Sequence, residues 1–193
     1  MNAIFLNDDE MFGYLTRRIN KKAPKLNKVD IASYGMYLGI TEDGKDWSDK
    51  FPSAARDFIN AVANTTHRII IGIPFFIECY IGCESCAFNY DKRLFRTSVT
   101  AKMLNLNIRY ADKSHLKYYR VDDSLIIGGI NLTQSGWVDM SVATKSTMRT
   151  RSMFDRLWRA SAGSISVFYK SKDVEKLEKE LQEYALLHKN TVD

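Results

Sequence analysis

The segment Arg68-Ile-Ile-Ile-Gly-Ile-Pro74 most constrains the fold. Its length and β-branching read as a fully buried strand, a kind that needs a layer of structure on each face. Just upstream, after Pro52, the sequence SAARDFINAVANT places Ala55, Phe58, Ile59 and Val62 on one helical stripe. Before that, the run Val29 to Leu38, rich in β-branched, aromatic and small apolar residues, reads as another buried strand. Strand, helix, strand is the signature of an α/β layer.

The rest of the chain extends the pattern. From Asp8 to Lys22, Met11, Phe12, Leu15 and Ile19 fall near helical spacing, with basic residues gathered at the C-terminal end where they suit the helix dipole. A helix over 92–105, a short strand from Asn107 to Ala111, and strands at 116–121 and 125–129 across the turn pair Asp122-Asp123 follow. The stretch SMFDRLWRAS reads as a helix burying Phe154, Leu157 and Trp158, and the tail carries Val174, Leu177, Leu181, Tyr184 and Leu187 at helical intervals. The expected class is α/β, with a mixed, largely parallel central sheet flanked by helices. A length of 193 residues, 45% hydrophobic and 26% charged, suits one substantial core, so one domain over 1–170 and an appended amphipathic helix over 171–193 are expected.

A formal charge of +5 favours an anionic partner. No apolar run approaches the roughly 20 residues that span a bilayer, and the sequence MNAIFLNDDE lacks the flank and apolar stretch of a secretion signal. Three cysteines in one short segment argue against a secreted disulfide framework. A cytoplasmic protein without membrane association is the expectation.

The chemistry concentrates in His115-Leu-Lys117-Tyr-Tyr-Arg-Val-Asp122, followed by Asp-Ser-Leu-Ile-Ile-Gly128-Gly129-Ile-Asn131-Leu-Thr133. On a strand, residues two apart share a face, so His115 and Lys117 present an imidazole and an ammonium side by side while Leu116 faces the core. An imidazole can act as nucleophile or proton carrier near neutral pH, and a lysine beside it can neutralise charge on phosphoryl oxygens.

His-x-Lys, four residues, Asp, then a Gly-rich turn leading to Asn resembles the HKD signature of the phospholipase D superfamily, closely over 115–133 and loosely, as its nuclease branch, over about 28–160. The resemblance implies a phospholipase D-like domain in which His115 attacks phosphorus to give a phosphohistidine, while Lys117 and Asn131 bind the phosphoryl oxygens. Asp122 matches the motif aspartate and is implied to support the loop. Asp139 is the nearest candidate for the carboxylate that orients the histidine in relatives. Two positions depart from the pattern: Gly129 stands where relatives have serine, and the interval from Asp122 to Gly128 is one residue shorter.

Protonating the leaving oxygen needs a second group, which in this family is a second motif histidine. The chain has three histidines, and neither His67 nor His188 begins another His-x-Lys. An isologous homodimer would supply the missing one from the symmetry mate. The expected activity is therefore a metal-independent phosphodiesterase, a nuclease acting on DNA or RNA, with no cofactor required. A nucleic-acid-binding module that has lost catalysis and a phospholipid phosphodiesterase are the alternatives. Tyr118, Tyr119, Arg120 and Trp137, with the basic series Lys145, Arg149, Arg151, Arg156 and Arg159, are candidate contacts to a nucleic acid.

Cys79, Cys83 and Cys86 form a separate cluster. Their spacing coincides with that of radical S-adenosylmethionine enzymes, but the chain offers no barrel to match. A structural zinc would have three protein ligands and need a fourth from His67, a partner or water. Reduced thiols packing a loop are the plain reading.

Overall fold

The computed structural model describes residues 3–5, 7–21, 27–34, 53–73, 101, 104–112, 114–130, 132 and 140–163. Of the expected helix over 92–105 it describes Ala101, Leu104 and Asn105, and the tail beyond 163 lies outside the described residues. Among the described residues no helix is long and apolar enough to cross a membrane.

Seven strands form one open sheet: β1 (Ala3–Phe5), β2 (Lys28–Ser33), β3 (Thr66–Ile73), β4 (Ile108–Asp112), β5 (Tyr118–Val121), β6 (Ser124–Gly128) and β7 (Ser141–Lys145). Their spatial order is β1-β7-β6-β5-β2-β3-β4. The α/β class and mixed sheet match expectation, but the sheet is not largely parallel. Parallel pairing is confined to β2–β3 and β3–β4, whereas β1–β7, β2–β5, β5–β6 and β6–β7 are antiparallel. The tight connection at Asp122-Asp123 makes β5–β6 antiparallel, because a two-residue link can join only antiparallel neighbours.

Helices cover both faces. On one lie α1 (Asp8–Asn20) and α2 (Ser53–Ala63). The Asn7 side chain caps α1 by accepting from the Glu10 N–H at 2.9 Å. Met11, Phe12, Leu15 and Ile19 from α1, and Phe58, Ile59 and Val62 from α2, are wholly buried over Val29, Ile31, Ile69 and Ile71. The opposite face carries α3 (Met148–Ala160), opened by a reciprocal Thr147–Thr150 capping box. Phe154 stacks on Tyr118 with centroids 5.2 Å apart, and Leu157 and Trp158 pack at its margin. In these three helices the stripe legible in the sequence is the side packed against the sheet. Where the 92–105 helix is expected to end, Asn105 has φ 56° and the Leu106 N–H reaches back to the Ala101 carbonyl at 2.7 Å, a helix-terminating arrangement.

On the α3 side, a charged row crosses the middle of the sheet. Asp30 pairs in register with Arg68 on β3 and Arg120 on β5. Its carboxylate, 2% exposed, accepts from Arg68 Nε at 2.8 Å and Arg120 Nε at 2.9 Å. Arg68 continues to Asp155 on α3 at 2.8 Å and lies over the Phe154 ring, 5.0 Å from its centroid. Removing Asp30 leaves the buried Arg120 guanidinium without its counter-ion at the centre of the fold, while Arg68 keeps Asp155. Asp30→Ala is expected to lower unfolding free energy by about 3–5 kcal/mol in urea titration; a loss under about 1 kcal/mol would show that the row does not hold the sheet.

Candidate active site

The strand registers bring one set of strand ends together. Ala32 pairs with Tyr118, Ile73 with Asp112, Tyr118 with Ile127, and Gly128 with Ser141. The C-terminal ends of β2, β3, β4 and β6 and the starts of β5 and β7 therefore share one end of the sheet. Open α/β sheets bind ligands outside the carboxyl ends of their parallel strands.

His115 and Lys117 sit at this end, in the extended segment 114–117 that leads into β5 and not on the strand itself. The expected alternation survives: Leu116 packs toward Tyr118 and Phe154, while His115 is exposed and Lys117 half-buried. Lys117 Nζ lies 2.8 Å from His115 Nδ1 and 3.4 Å from Nε2. An ammonium can only donate, so Nδ1 accepts and the neutral ring carries its proton on Nε2. Partial burial, and after it the Lys117 charge, holds the imidazole below its ordinary pKa of 6.5. It is a neutral base at physiological pH.

Two residues that sequence reading passed over complete the setting. The Tyr34 ring, just past β2, lies 4.0 Å from the imidazole, and Lys117 Nζ is 5.4 Å from the same ring's centroid. Gly72 on β3 makes room: a Cβ there would lie 2.0 Å from the Ser114 carbonyl oxygen and 3.2 Å from Tyr34 Cα. The glycine inside an isoleucine run was the available signal, since it often marks close backbone approach.

The turn following the motif is tied to the same strands. Ser33 Oγ accepts from the Leu132 N–H at 2.8 Å, and Tyr119 donates its hydroxyl to the Ile130 carbonyl at 2.9 Å. Both neighbours of Asn131 are thus pinned to β2 and β5; Asn131 and Asp139 themselves lie outside the described residues. Gly128 has no room for a side chain, because a Cβ would sit 2.3 Å from Ser141 Oγ.

Of the other candidates, Asp122 keeps a supporting role, while the contacts expected of Tyr118, Tyr119, Arg120, Lys145 and Arg151 are corrected. Asp122 sits at the far end of β5, roughly 17 Å of strand from Lys117. Its φ of 52° forms the hairpin turn, and its Oδ1 accepts from the Lys28 N–H at 3.0 Å. It supports the turn, the kind of role the motif resemblance implies for it, at the end of the sheet away from His115. Tyr118, Tyr119 and Arg120 are at most 7% exposed, committed to Phe154, to Phe12 and Ile130, and to Asp30, so none offers a surface for a base or phosphate. Lys145 pairs with Ser124, and Arg151 binds Asp123 at 2.8 Å, which places both at the turn end of the sheet and not beside His115. Arg149, Arg156 and Arg159 are exposed on α3. Trp137 and the three cysteines lie outside the described residues.

His67 is a structural histidine. Nδ1 donates to the Thr65 carbonyl at 3.0 Å, and Nε2 accepts from the Asn107 N–H at 3.0 Å. Both ring nitrogens are used, so it cannot complete a zinc site without breaking one of these bonds. Among the described residues no group of three or more His, Cys, Asp or Glu is arranged to hold a metal.

No protein-family model matches the chain, nor does any curated protein sequence. Among solved structures, NucT from Helicobacter pylori is similar at TM-score 0.51 and 14% identity, over 85% of this chain and 99% of that one. TrmBL2, an archaeal chromatin protein whose structure shows a mode of DNA binding, aligns at TM-score 0.45 and 12% identity; this chain spans 54% of its length. At such identities the likeness is one of fold: this α/β fold is similar to that of NucT.

Burial holds His67 below its ordinary pKa of 6.5, outweighing its backbone hydrogen bonds. The folded state thus binds its proton less readily than the unfolded one, and the stability His67 contributes is full above about pH 6.5 and lost as pH falls through the lowered folded value. Urea midpoints of His115→Ala, a background that removes the other shifted imidazole, should fall between pH 7.5 and 5. Adding His67→Gln should flatten that slope; an unchanged slope would show that His67 is not its source.

Proposed function

We propose that the chain is a metal-independent phosphodiesterase of the phospholipase D type, a nuclease that hydrolyses DNA or RNA in the composite site of a homodimer. The observation that carries this reading is the neutral His115 imidazole, 2.8 Å from the Lys117 ammonium, at the end of the sheet where strand termini converge.

In the first step a ring nitrogen of the neutral His115 attacks phosphorus: an N–P bond forms, the P–O bond to the leaving strand breaks, and the leaving oxygen takes a proton from His115 of the partner subunit, which enters the step as an imidazolium paired with the anionic phosphate. In the second step water attacks the phosphohistidine, gives its proton to the partner subunit's His115, and the N–P bond breaks. Lys117 neutralises the phosphoryl oxygens, joined by Asn131. Attack through Nε2 requires the proton to move to Nδ1, which Lys117 now occupies as donor. Substrate that draws Lys117 onto phosphate releases Nδ1 to carry that proton, with Asp139 as its acceptor. No step calls for a divalent ion.

The nucleic-acid assignment is supported by the motif, the charge of +5 and exposed Arg149, Arg156 and Arg159, which run along α3. The buried Tyr118, Tyr119 and Arg120 give it no support.

Labelled DNA, labelled RNA and phosphatidylcholine vesicles, each with wild type and His115→Ala in excess chelator, test the proposal. Turnover of a nucleic acid should persist in chelator, and His115→Ala should reduce it on the order of 10⁴-fold or more. Activity abolished by chelator and restored by magnesium overturns the mechanism. Equal binding without turnover by either protein identifies a binding module instead, and turnover of the vesicles alone a lipid phosphodiesterase.

A further inference from the structure

An imidazole that attacks phosphorus must be held in one orientation, and among the described residues few groups fix His115. It lies on 114–117, ahead of the first ladder pair of β5, and its side chain is exposed. Lys117 contacts the ring through the tip of a flexible four-carbon chain, which restrains one nitrogen but not the plane of the ring. The rigid group against the imidazole, among the described residues, is the Tyr34 ring, 4.0 Å away and tilted by 41°.

Tyr34 is well anchored for this task. It follows Ser33, which is 1% exposed, pairs with Ile71 and receives the Leu132 N–H. The missing side chain at Gly72 lets the backbone of Tyr34 and that of Ser114 close over β3 from either side. With any larger residue at 72, the chain before His115 must rise off the sheet, and the two rings separate. Lys117 Nζ, 5.4 Å from the Tyr34 centroid, is within cation–π range of the same ring. One aromatic ring therefore borders both members of the pair.

We propose that Tyr34 is a positioning residue for His115, its ring setting the plane of the imidazole for attack, and that Gly72 is the seat that permits this contact. The role rests on the phosphodiesterase reading above. Tyr34 touches His115 and not the reacting phosphorus, so its effect passes through the histidine. Its ring also shields one side of the imidazole from water, adding to the burial that keeps it neutral. Lys117 from the same segment and Tyr34 from the end of β2 are the ionisable groups in contact with His115 among the described residues.

The test compares Tyr34→Phe, Tyr34→Leu and Tyr34→Ala in the full chain, by kinetics and by NMR of the His115 ring protons, assigned by their disappearance in His115→Ala. Phe keeps the ring and should retain kcat within about twofold. Ala should lower kcat by about 10- to 100-fold with KM little changed, as expected for a misplaced reacting group. Its His115 protons should lose their ring-current shift, and the imidazole should titrate closer to its ordinary range, moving the acid limb of the pH–kcat profile upward. Leu, which keeps bulk without a ring, should behave like Ala, and it decides the matter if Ala does not fold. Wild-type kcat, pH profile and ring-proton shifts in Leu or Ala would overturn the positioning role and leave the phosphodiesterase reading intact. Loss of the ring-current shift, with no turnover by any variant, would uphold the contact and overturn the phosphodiesterase reading.

Discussion

A buried carboxylate shared by two guanidiniums holds the centre of this sheet. Asp30 is clamped by Arg68 from a parallel neighbour and Arg120 from an antiparallel one. Strand register is weakly specified where both faces are apolar, as on β2 and β3, because many slips bury similar surfaces. The charged row removes that degeneracy. A one-residue slip of β3 or β5 would turn an arginine into the apolar layer under α1 and α2 and leave Asp30 without its partner. The site inherits this register: with Asp30 opposite Arg68 and Arg120, Ser33 pairs with Ile71 and Ala32 with Tyr118. Tyr34, Gly72 and the 114–117 segment are then brought to the same end.

Much of this was legible in the sequence because period and burial agree. Helices α1, α2 and α3 and strand β3 carry stripes or runs that the core uses unchanged. What escaped has physical causes. Strand β1 is three apolar residues, too short to show a period, and β7 alternates small and polar residues; β7 is defined by pairing with β6, and β1 by pairing with β7. The Asp122-Asp123 turn marks β5 and β6 as antiparallel neighbours, but nothing in the runs of β2 and β7 distinguishes a parallel neighbour from an antiparallel one. Tyr34 reads as one more aromatic in a strand-like run, and its role follows from what β3 and the β5 lead-in bring beside it. Asp122 sits within the motif, yet its φ of 52° and its bonds to Lys28 give it a turn to hold.

The basic character of the chain also divides on inspection. Arg68, Arg109 and Arg120 are spent on the interior: Arg68 and Arg120 bind Asp30, while Arg109 stacks on Trp158, 4.8 Å from its ring, and donates to its carbonyl at 2.9 Å. Arg151 pairs with Asp123 at the turn end. Net charge is a property of the sum, but a phosphate backbone meets only what is displayed. The exposed cations of α3 matter more to that encounter than the formal total.

The same economy of position applies to His67 and His115. His67 and His115 are both held below their ordinary pKa, and desolvation is the first cause of each shift. Yet one is bonded through both nitrogens to backbone and the other faces a lysine and a tyrosine on an exposed lead-in. A lowered pKa therefore does not by itself mark a reactive histidine. What separates them is whether the lone pair is committed to a bond the fold needs. His67 gives its lone pair to the Asn107 N–H, and protonating it would break a link between β3 and the start of β4. His115 gives its lone pair to a flexible ammonium that an incoming anion can draw away, so it alone of the two can form a bond to phosphorus without unfolding anything.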